Sequence, residues 1–352
     1  MATAQTKDSQ TKEQTPAFVP RRWLRGGHVQ TLASFLITRR FSVSAPEERF
    51  IEVEPGVQVL CHCHWQKDRA NALTVIVVHG LEGSSESQYM LGITEKSLAA
   101  GMNVIRYNQR NCGGTDALAP VLYHSGLSND VAAVARDLIA RDRVSRLALV
   151  GFSMGGNIVL KLAGEWGSEG PQQFRAVAAC CPAIDLATSA DALHEPANRI
   201  YEKYFLWALH RRMLQKSRLF PGHFDVRRLR GIRSLREFDD KVTAYYCGFR
   251  GVDDYYDRAS AAHGIERITV PTLILYAAND PFIRITPETR RKIASNANIN
   301  FMETADGGHC AFVGPTVARS SELGSGQTDS NEGRCDDGFW AEHEIVNFLR
   351  RF

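Results

Sequence analysis

An apolar run, Leu147-Ala148-Leu149-Val150, leads into Gly151-Phe152-Ser153-Met154-Gly155-Gly156, and a helix-like stretch from Asn157 to Glu165 leads out. A G-x-S-x-G string between a buried strand and a helix restricts the local fold to a sharp strand-to-helix turn at the edge of a sheet. Side chains at positions 151 and 155 would collide in so tight a turn, which accounts for both glycines. Ser153 is then expected in a strained backbone conformation with its hydroxyl exposed. The helix behind it points unpaired N–H groups at that hydroxyl, a setting that favours developing negative charge.

The rest of the chain is organised around this unit. Phe50–Val53 and Val57–His64 read as a hairpin about Pro55-Gly56, and Leu73–Val78 is a β-branched run of the kind buried on both faces. Strand-like and helix-like segments then alternate: strand 102–107, helix 129–141, strand 147–152, helix 155–164, strand 176–181, strand 273–276, strand 298–304 and a closing helix 339–352. A further short helix is expected near 29–37. This order predicts an α/β fold, a mostly parallel, doubly wound sheet with helices on both faces. Residues 185–265 interrupt the alternation. They are rich in arginine and aromatics, helical in pattern and without a buried strand, and are expected to form a helical cap inserted over the carboxyl ends of the strands. The polar start, 1–15, reads as a disordered tail and the Ser-, Gly- and Asp-rich stretch 315–338 as a mobile loop. Residues 16–352 are thus expected to form one domain.

Charge and composition exclude several roles. The chain carries 42 Lys+Arg against 39 Asp+Glu, a net charge of +3, so nucleic-acid binding would need a local patch. The best candidates, Arg227, Arg228, Arg230, Arg233 and Arg236, alternate with Leu229, Ile232 and Leu235 at helical spacing and read as a solvated helix face. No apolar run approaches the 18 or so residues that span a bilayer. The start lacks the apolar segment of a signal peptide, and the eight cysteines then suggest a reduced, cytoplasmic chain. Cys61-His62-Cys63-His64 resembles a metal site, but strand alternation would put the two thiols on one face and the two imidazoles on the other, so no metal is expected there.

A serine hydroxyl is a poor nucleophile until a base removes its proton, and the base needs an acid to orient it. In a strand-turn-helix architecture of this kind the acid and the base follow the serine in chain order, each just after a later strand. Asp280 ends Thr272-Leu-Ile-Leu-Tyr-Ala-Ala-Asn-Asp280, and His309 lies in Asp306-Gly307-Gly308-His309 beyond the 298–304 strand. Asp253 and Asp254 are reserve candidates for the acid. Two backbone donors should face the oxyanion: the N–H of Met154 and that of Leu81, with Gly80 and Gly83 allowing close approach. Cys310 reads as a small residue packed behind the histidine, and Cys112 as loop packing. The chemistry calls for no cofactor.

These residues carry a family resemblance. Trp23-Leu24 with His28-Val29-Gln30-Thr31, HGLEGSSESQY (79–89), NQRNCGGTD (108–116), YHSGLSNDV (123–131), GFSMGGN (151–157), REFDDKVTA (236–244), GFRGVDDYYDRAS (248–260), PTLILYAANDPF (271–282) and GGHCAFVG (307–314) together resemble α/β-hydrolase-fold serine hydrolases. Among these the chain is most similar to the YheT-like esterases and their ABHD1/ABHD3-like lipid-hydrolase relatives. The resemblance spans about residues 18–352. It implies hydrolysis of carboxylic esters by Ser153, Asp280 and His309, with short- to medium-chain acyl esters or acylglycerols as substrates. Asn111 stands where the family pattern leads one to expect glycine, and the 315–338 stretch is longer than usual. Thioesterase, peptidase or phospholipase chemistry on the same fold, or a non-catalytic binding role, remain alternatives at this level. Phe205, Leu206, Trp207, Leu209, Tyr245, Tyr246, Phe249, Tyr255 and Tyr256 give the inserted segment an apolar character suited to acyl or aromatic esters. Peripheral lipid contact is compatible with its basic surface. Oligomeric state is left open.

Overall fold

A computed structural model describes residues 18–316 and 337–352. The expectations for 1–15, and for all of 315–338 except its four end residues, fall outside the described part. The chain enters through α1 (Gly27–Leu36) and forms β1 (Glu47–Glu54) and β2 (Val57–His64), an antiparallel hairpin turning at Gly56. β3 (Thr74–Val78), α2 (Gln88–Ala99), β4 (Asn103–Tyr107), α3 (Ser128–Asp142), β5 (Leu147–Phe152), α4 (Met154–Trp166) and β6 (Phe174–Cys180) follow in strict alternation. β7 (Thr272–Ala277), which continues the sheet, is followed by a second helix-strand pair and a closing helix, described below in chain order.

The sheet has eight strands in the order β1-β2-β4-β3-β5-β6-β7-β8, the last being Ile299–Thr304. Only the pairings of β2 with β1 and β4 are antiparallel, and the other five are parallel. Every residue of β3, β4, β5 and β7 is buried, as parallel strands covered on both faces require. Successive side chains point to opposite faces, so the run Val75 to Val78 feeds two cores. Ile76 and Val78 pack with Leu138 of α3 and Ile158 of α4, while Val75 and Val77 pack with Met90 and Ile93 of α2 and with the closing helix. The same alternation buries Cys61 and Cys63 in the first core, and it sends His64 to Arg106 and His62 to Ser85 and Glu86. The four side chains therefore do not converge on one point.

Between β6 and β7 the described chain holds helices and turns and no strand. These include α5 (Leu186–Leu193), α6 (Arg199–Leu219), a 3₁₀ turn Val226–Leu229, α7 (Leu235–Phe238), a π turn Asp239–Ala244 and α8 (Val252–Ala259). The expected helix face across Arg227–Arg236 is corrected here. The 3₁₀ turn ends at Leu229, Arg230 is extended, Gly231 takes φ +71°, and α7 starts anew behind Ser234. The arginines disperse accordingly: Arg227 pairs with Asp225, and Arg236 with Asp191 and Asp253. After β7 come α9 (Pro287–Ser295), β8 and α10 (Trp340–Leu349). None of the described helices is long and apolar enough to cross a membrane.

Candidate active site

In a parallel sheet the loops after the strands collect at one edge, the usual place for a ligand site. Here that edge receives residues 79–83 from β3, Ser153 from β5, Cys181 from β6, Asp280 from β7 and His309 from β8. Ser153 has φ +55° and ψ −119°, a conformation rare outside glycine. The turn is held by Ser153 N–H donating to Cys180 O at 2.9 Å, while Ser153 O accepts from Asn157 and Ala183. A Cβ on Gly151 would sit 2.3 Å from Gly155 O, and one on Gly155 would sit 2.3 Å from Val78 O, so both positions exclude a side chain.

Ser153 Oγ lies 2.9 Å from His309 Nε2, and His309 Nδ1 lies 2.8 Å from Asp280 Oδ2. With the ring proton on Nδ1, the histidine donates to the carboxylate and accepts from the hydroxyl, so one tautomer satisfies both contacts. Asp280 is buried, and its other oxygen accepts the N–H groups of Phe282 and Ile283 at 3.1 and 2.9 Å. The three residues expected from strand-end positions are thus joined in one hydrogen-bonded chain. Asp253 and Asp254 are not part of it. Both lie on α8, where Asp254 pairs with Arg250 and Arg258 and Asp253 with Arg236.

Several supporting residues left no sequence signal of their own. His309 N–H donates to Thr31 Oγ1 of α1 at 2.9 Å, and Gln30 of the same helix both donates to Val313 O and accepts from Val313 N–H. Asp306 accepts from Gly26 N–H, Asn279 Nδ2 and Gly307 N–H, and Asn279 Oδ1 accepts from Gly308 N–H. The helix before the sheet is therefore a brace for the His309 loop. The motif His28-Val29-Gln30-Thr31 was visible in the sequence, but its purpose was not.

The loop after β3 is pinned equally firmly. His79 is buried, donates through Nδ1 to Gly80 O and accepts Gln109 N–H on Nε2, and burial pushes its pKa down to about 4. Glu82 (φ +55°) accepts from Arg212 of α6 at 2.8 and 3.0 Å and from Tyr123 Oη at 2.6 Å. Leu81 and Met154 both line the space beside Ser153. Asn111, where glycine was expected, takes φ +66°, a conformation asparagine tolerates. Its side chain accepts from Lys216 of α6 at 2.8 Å, a bond glycine could not make.

A cleft open to solvent at its mouth starts at Ser153. Leu81, Met154, Leu186, Phe205, Leu209 and Phe282 give it apolar walls. One wall carries Asp239, whose oxygens accept from Thr243 Oγ1 and Tyr256 Oη at 2.7 Å each. Burial raises its pKa to about 6. Of the apolar residues expected here, Phe205, Leu209, Tyr255 and Tyr256 line the cleft, whereas Trp207 and Tyr245 are exposed.

Two groups of potential metal ligands occur among the described residues: Cys180 with Cys181 and Cys310, and Cys181 with Asp280 and His309. The second is Asp280 and His309 of the hydrogen-bonded chain plus a thiol. In the first, burial pushes all three thiols well above their ordinary range, which works against the thiolate a metal needs. Cys310 N–H donates to Cys181 Sγ at 3.3 Å, and its own sulfur sits 4.0 Å from His309 Nε2. Cys112 is buried against Tyr123 and Met154.

Residues 74–315 match the α/β hydrolase fold family. The chain belongs to that family. It is 30% identical over 324 residues to the protein named "Putative esterase YheT" of Escherichia coli (strain K12), covering 90% of this chain and 93% of that one. It is 28% identical to phospholipase ABHD3 of Mus musculus, covering 85% and 74% of the two chains, and 29% identical to the monoacylglycerol lipase of Saccharomyces cerevisiae, covering 68% and 54%. Among solved structures, the esterase Pf2001 of Pyrococcus furiosus aligns with a TM-score of 0.53 at 15% identity, over 90% of this chain and 98% of that one, a likeness of fold.

Proposed function

We propose that this chain is a serine hydrolase of carboxylic esters. His309 Nε2 takes the Ser153 hydroxyl proton as Oγ attacks the ester carbonyl carbon. The oxyanion forms between the N–H groups of Leu81 and Met154, and Asp280 holds the imidazolium. Collapse expels the alcohol, protonated by His309, and leaves an acyl-Ser153 ester. Water, deprotonated by the same histidine, then releases the acid. The observation that carries this reading is the continuous chain Asp280–His309–Ser153, at 2.8 and 2.9 Å, opening onto an apolar cleft.

Short- to medium-chain acyl esters or acylglycerols suit apolar walls better than sugars or charged metabolites, and the lipid-ester names of two relatives point the same way. In this reading residues 185–265 act as a cap over the strand ends within a single domain, and the free buried thiols suit a reducing, cytoplasmic setting. The test is a fluorophosphonate probe combined with p-nitrophenyl esters of two to sixteen carbons. Wild type should be labelled and turn over the shorter esters, and Ser153→Ala should do neither. Labelling that persists in Ser153→Ala would remove the serine from its role.

A further inference from the structure

Helix α1 is amphipathic the wrong way round for a soluble protein. Its polar residues Gln30 and Thr31 are buried, 0% and 1% exposed, because they brace the His309 loop. Its large apolar residues face out: Val29, Leu32, Phe35 and Leu36 are 44%, 39%, 62% and 79% exposed, and Trp23 just before the helix is 81% exposed. Positions 29, 32, 35 and 36 recur at helical spacing and form one stripe. Scattered single apolar residues are ordinary on a surface, but a contiguous stripe of large ones marks an interaction site.

A second stripe adjoins it. Ile200, Tyr204 and Trp207 of α6, spaced by four and three residues, are 63%, 52% and 60% exposed. The two helices meet where His28 Nδ1 lies 3.1 Å from Tyr201 Oη with the rings stacked. Both stripes carry positive charge. Residues 18–46 contain five arginines and no acidic residue. Arg22, Arg25 and Arg40 among them are exposed. On α6 Arg199, Lys203, Arg211 and Arg218 are exposed, whereas Arg212 and Lys216 turn inward to the 82 and 108–119 loops, and the helix's one acid, Glu202, is buried and bonded to His194 and Leu235 N–H. Arg22 lies over Trp23 and Arg211 over Trp207.

Exposed Trp, Tyr, Phe and Leu ringed by arginine, on helices too short and too polar to span, is the pattern of a surface that lies in the headgroup region of a bilayer. We infer that α1 and the first half of α6 dock this protein on an anionic lipid surface. The polar segment 1–15 holds no large apolar side chain beyond Met1 with which to cover the stripes. The docking face also leads to the candidate site. Ring contacts run from Trp207 to Tyr204, Phe205, Phe282 and His309 at centroid separations of 6.4, 5.7, 6.4 and 4.4 Å. An acyl chain leaving the bilayer would meet aromatic surface all the way to the cleft. The inference rests on the ester-hydrolase reading only for this last point.

Flotation of the full-length protein with vesicles of phosphatidylcholine alone, and of phosphatidylcholine with 30% phosphatidylglycerol, tests it. Wild type should float with the anionic vesicles, at least tenfold less with the neutral ones, and progressively less as salt rises from 50 to 500 mM. Phe35→Ser/Leu36→Ser and, separately, Trp207→Ser should each cut flotation at least fivefold, with turnover of soluble p-nitrophenyl butyrate unchanged. Ser153→Ala should float like wild type. Flotation without esterase turnover would sink the hydrolase reading and leave the docking surface standing. Turnover without flotation on either vesicle would overturn docking alone. A wild-type dimer that Phe35→Ser/Leu36→Ser converts to a monomer, with no flotation, would also overturn it and assign the stripes to a second copy of the chain.

Discussion

The sheet and the helical segment between β6 and β7 are built on different physical terms. In the sheet, strands are tied by backbone ladders, and the buried residues of β3, β4, β5 and β7 leave no room for substitution. The helical segment is tied down largely by side chains. Arg212 reaches Glu82, Asp116 and Asn111 O, Lys216 reaches Asn111, Asp116 O and Ala119 O, and Asn198 reaches Pro281 O. Close packing tolerates little change in shape, whereas polar ties can be altered one at a time. The reacting groups of the proposed mechanism sit at the ends of the sheet strands, with the His309 loop further braced by side chains, and most of the cleft wall sits on the helical segment.

Substitutions at four positions would break or sharpen this contrast. The largest effect is expected at Ser153: alanine should lower kcat by about 10³-fold or more with the melting temperature unchanged, because only a reacting group is lost. Gly155→Ala, a change in the rigid half, should destabilise by about 3–5 kcal/mol in urea unfolding, since the new methyl would strike Val78 O and His79 O. Arg212→Ala belongs to the other half. It should lower kcat about 10–100-fold with KM little changed, by freeing Glu82 and with it the Leu81 N–H, and Arg212→Lys should recover part of the loss. An unchanged kcat would show that the loop after β3 stands without the helical segment. The smallest effect concerns stability and pH. Burial lifts Asp239 to about 6, above the usual carboxylate value near 3.9, so the folded state binds more protons than the unfolded one between those values. Stability from this group is therefore full below about pH 4 and lost as pH rises through 6. Asp239→Asn should gain up to about 3 kcal/mol over wild type at pH 8 and nothing at pH 4, read by denaturation at the two pH values.

The two halves also differed in how much of them was legible in the sequence. Continuous β-branched runs such as Leu73–Val78 can hardly be anything but buried parallel strands, and Ser153, Asp280 and His309 were singled out because each comes soon after a strand. The break at Gly231 was hidden by arginines and leucines whose spacing imitates a helix. Thr31, Gln30, Asn279, Asp306, Glu82 and Arg212 act across long sequence separations. Pairs of that kind leave no period to read, and only the folded chain brings them together.

Asn111 and Lys216 have a practical consequence for recombining members of this fold. All three hydrogen bonds of the Lys216 amine go to the 108–119 stretch, and Asn111 departs from glycine in a way that serves that lysine. The exchangeable unit is therefore not the inserted helices alone. A chimera that imports another protein's helices while keeping Asn111 leaves its Oδ1 without the lysine, though Nδ2 still reaches Val121 O, and one that imports a glycine loop while keeping Lys216 leaves the amine only its two backbone acceptors. Moving α6 and the 108–119 loop together keeps the pair intact.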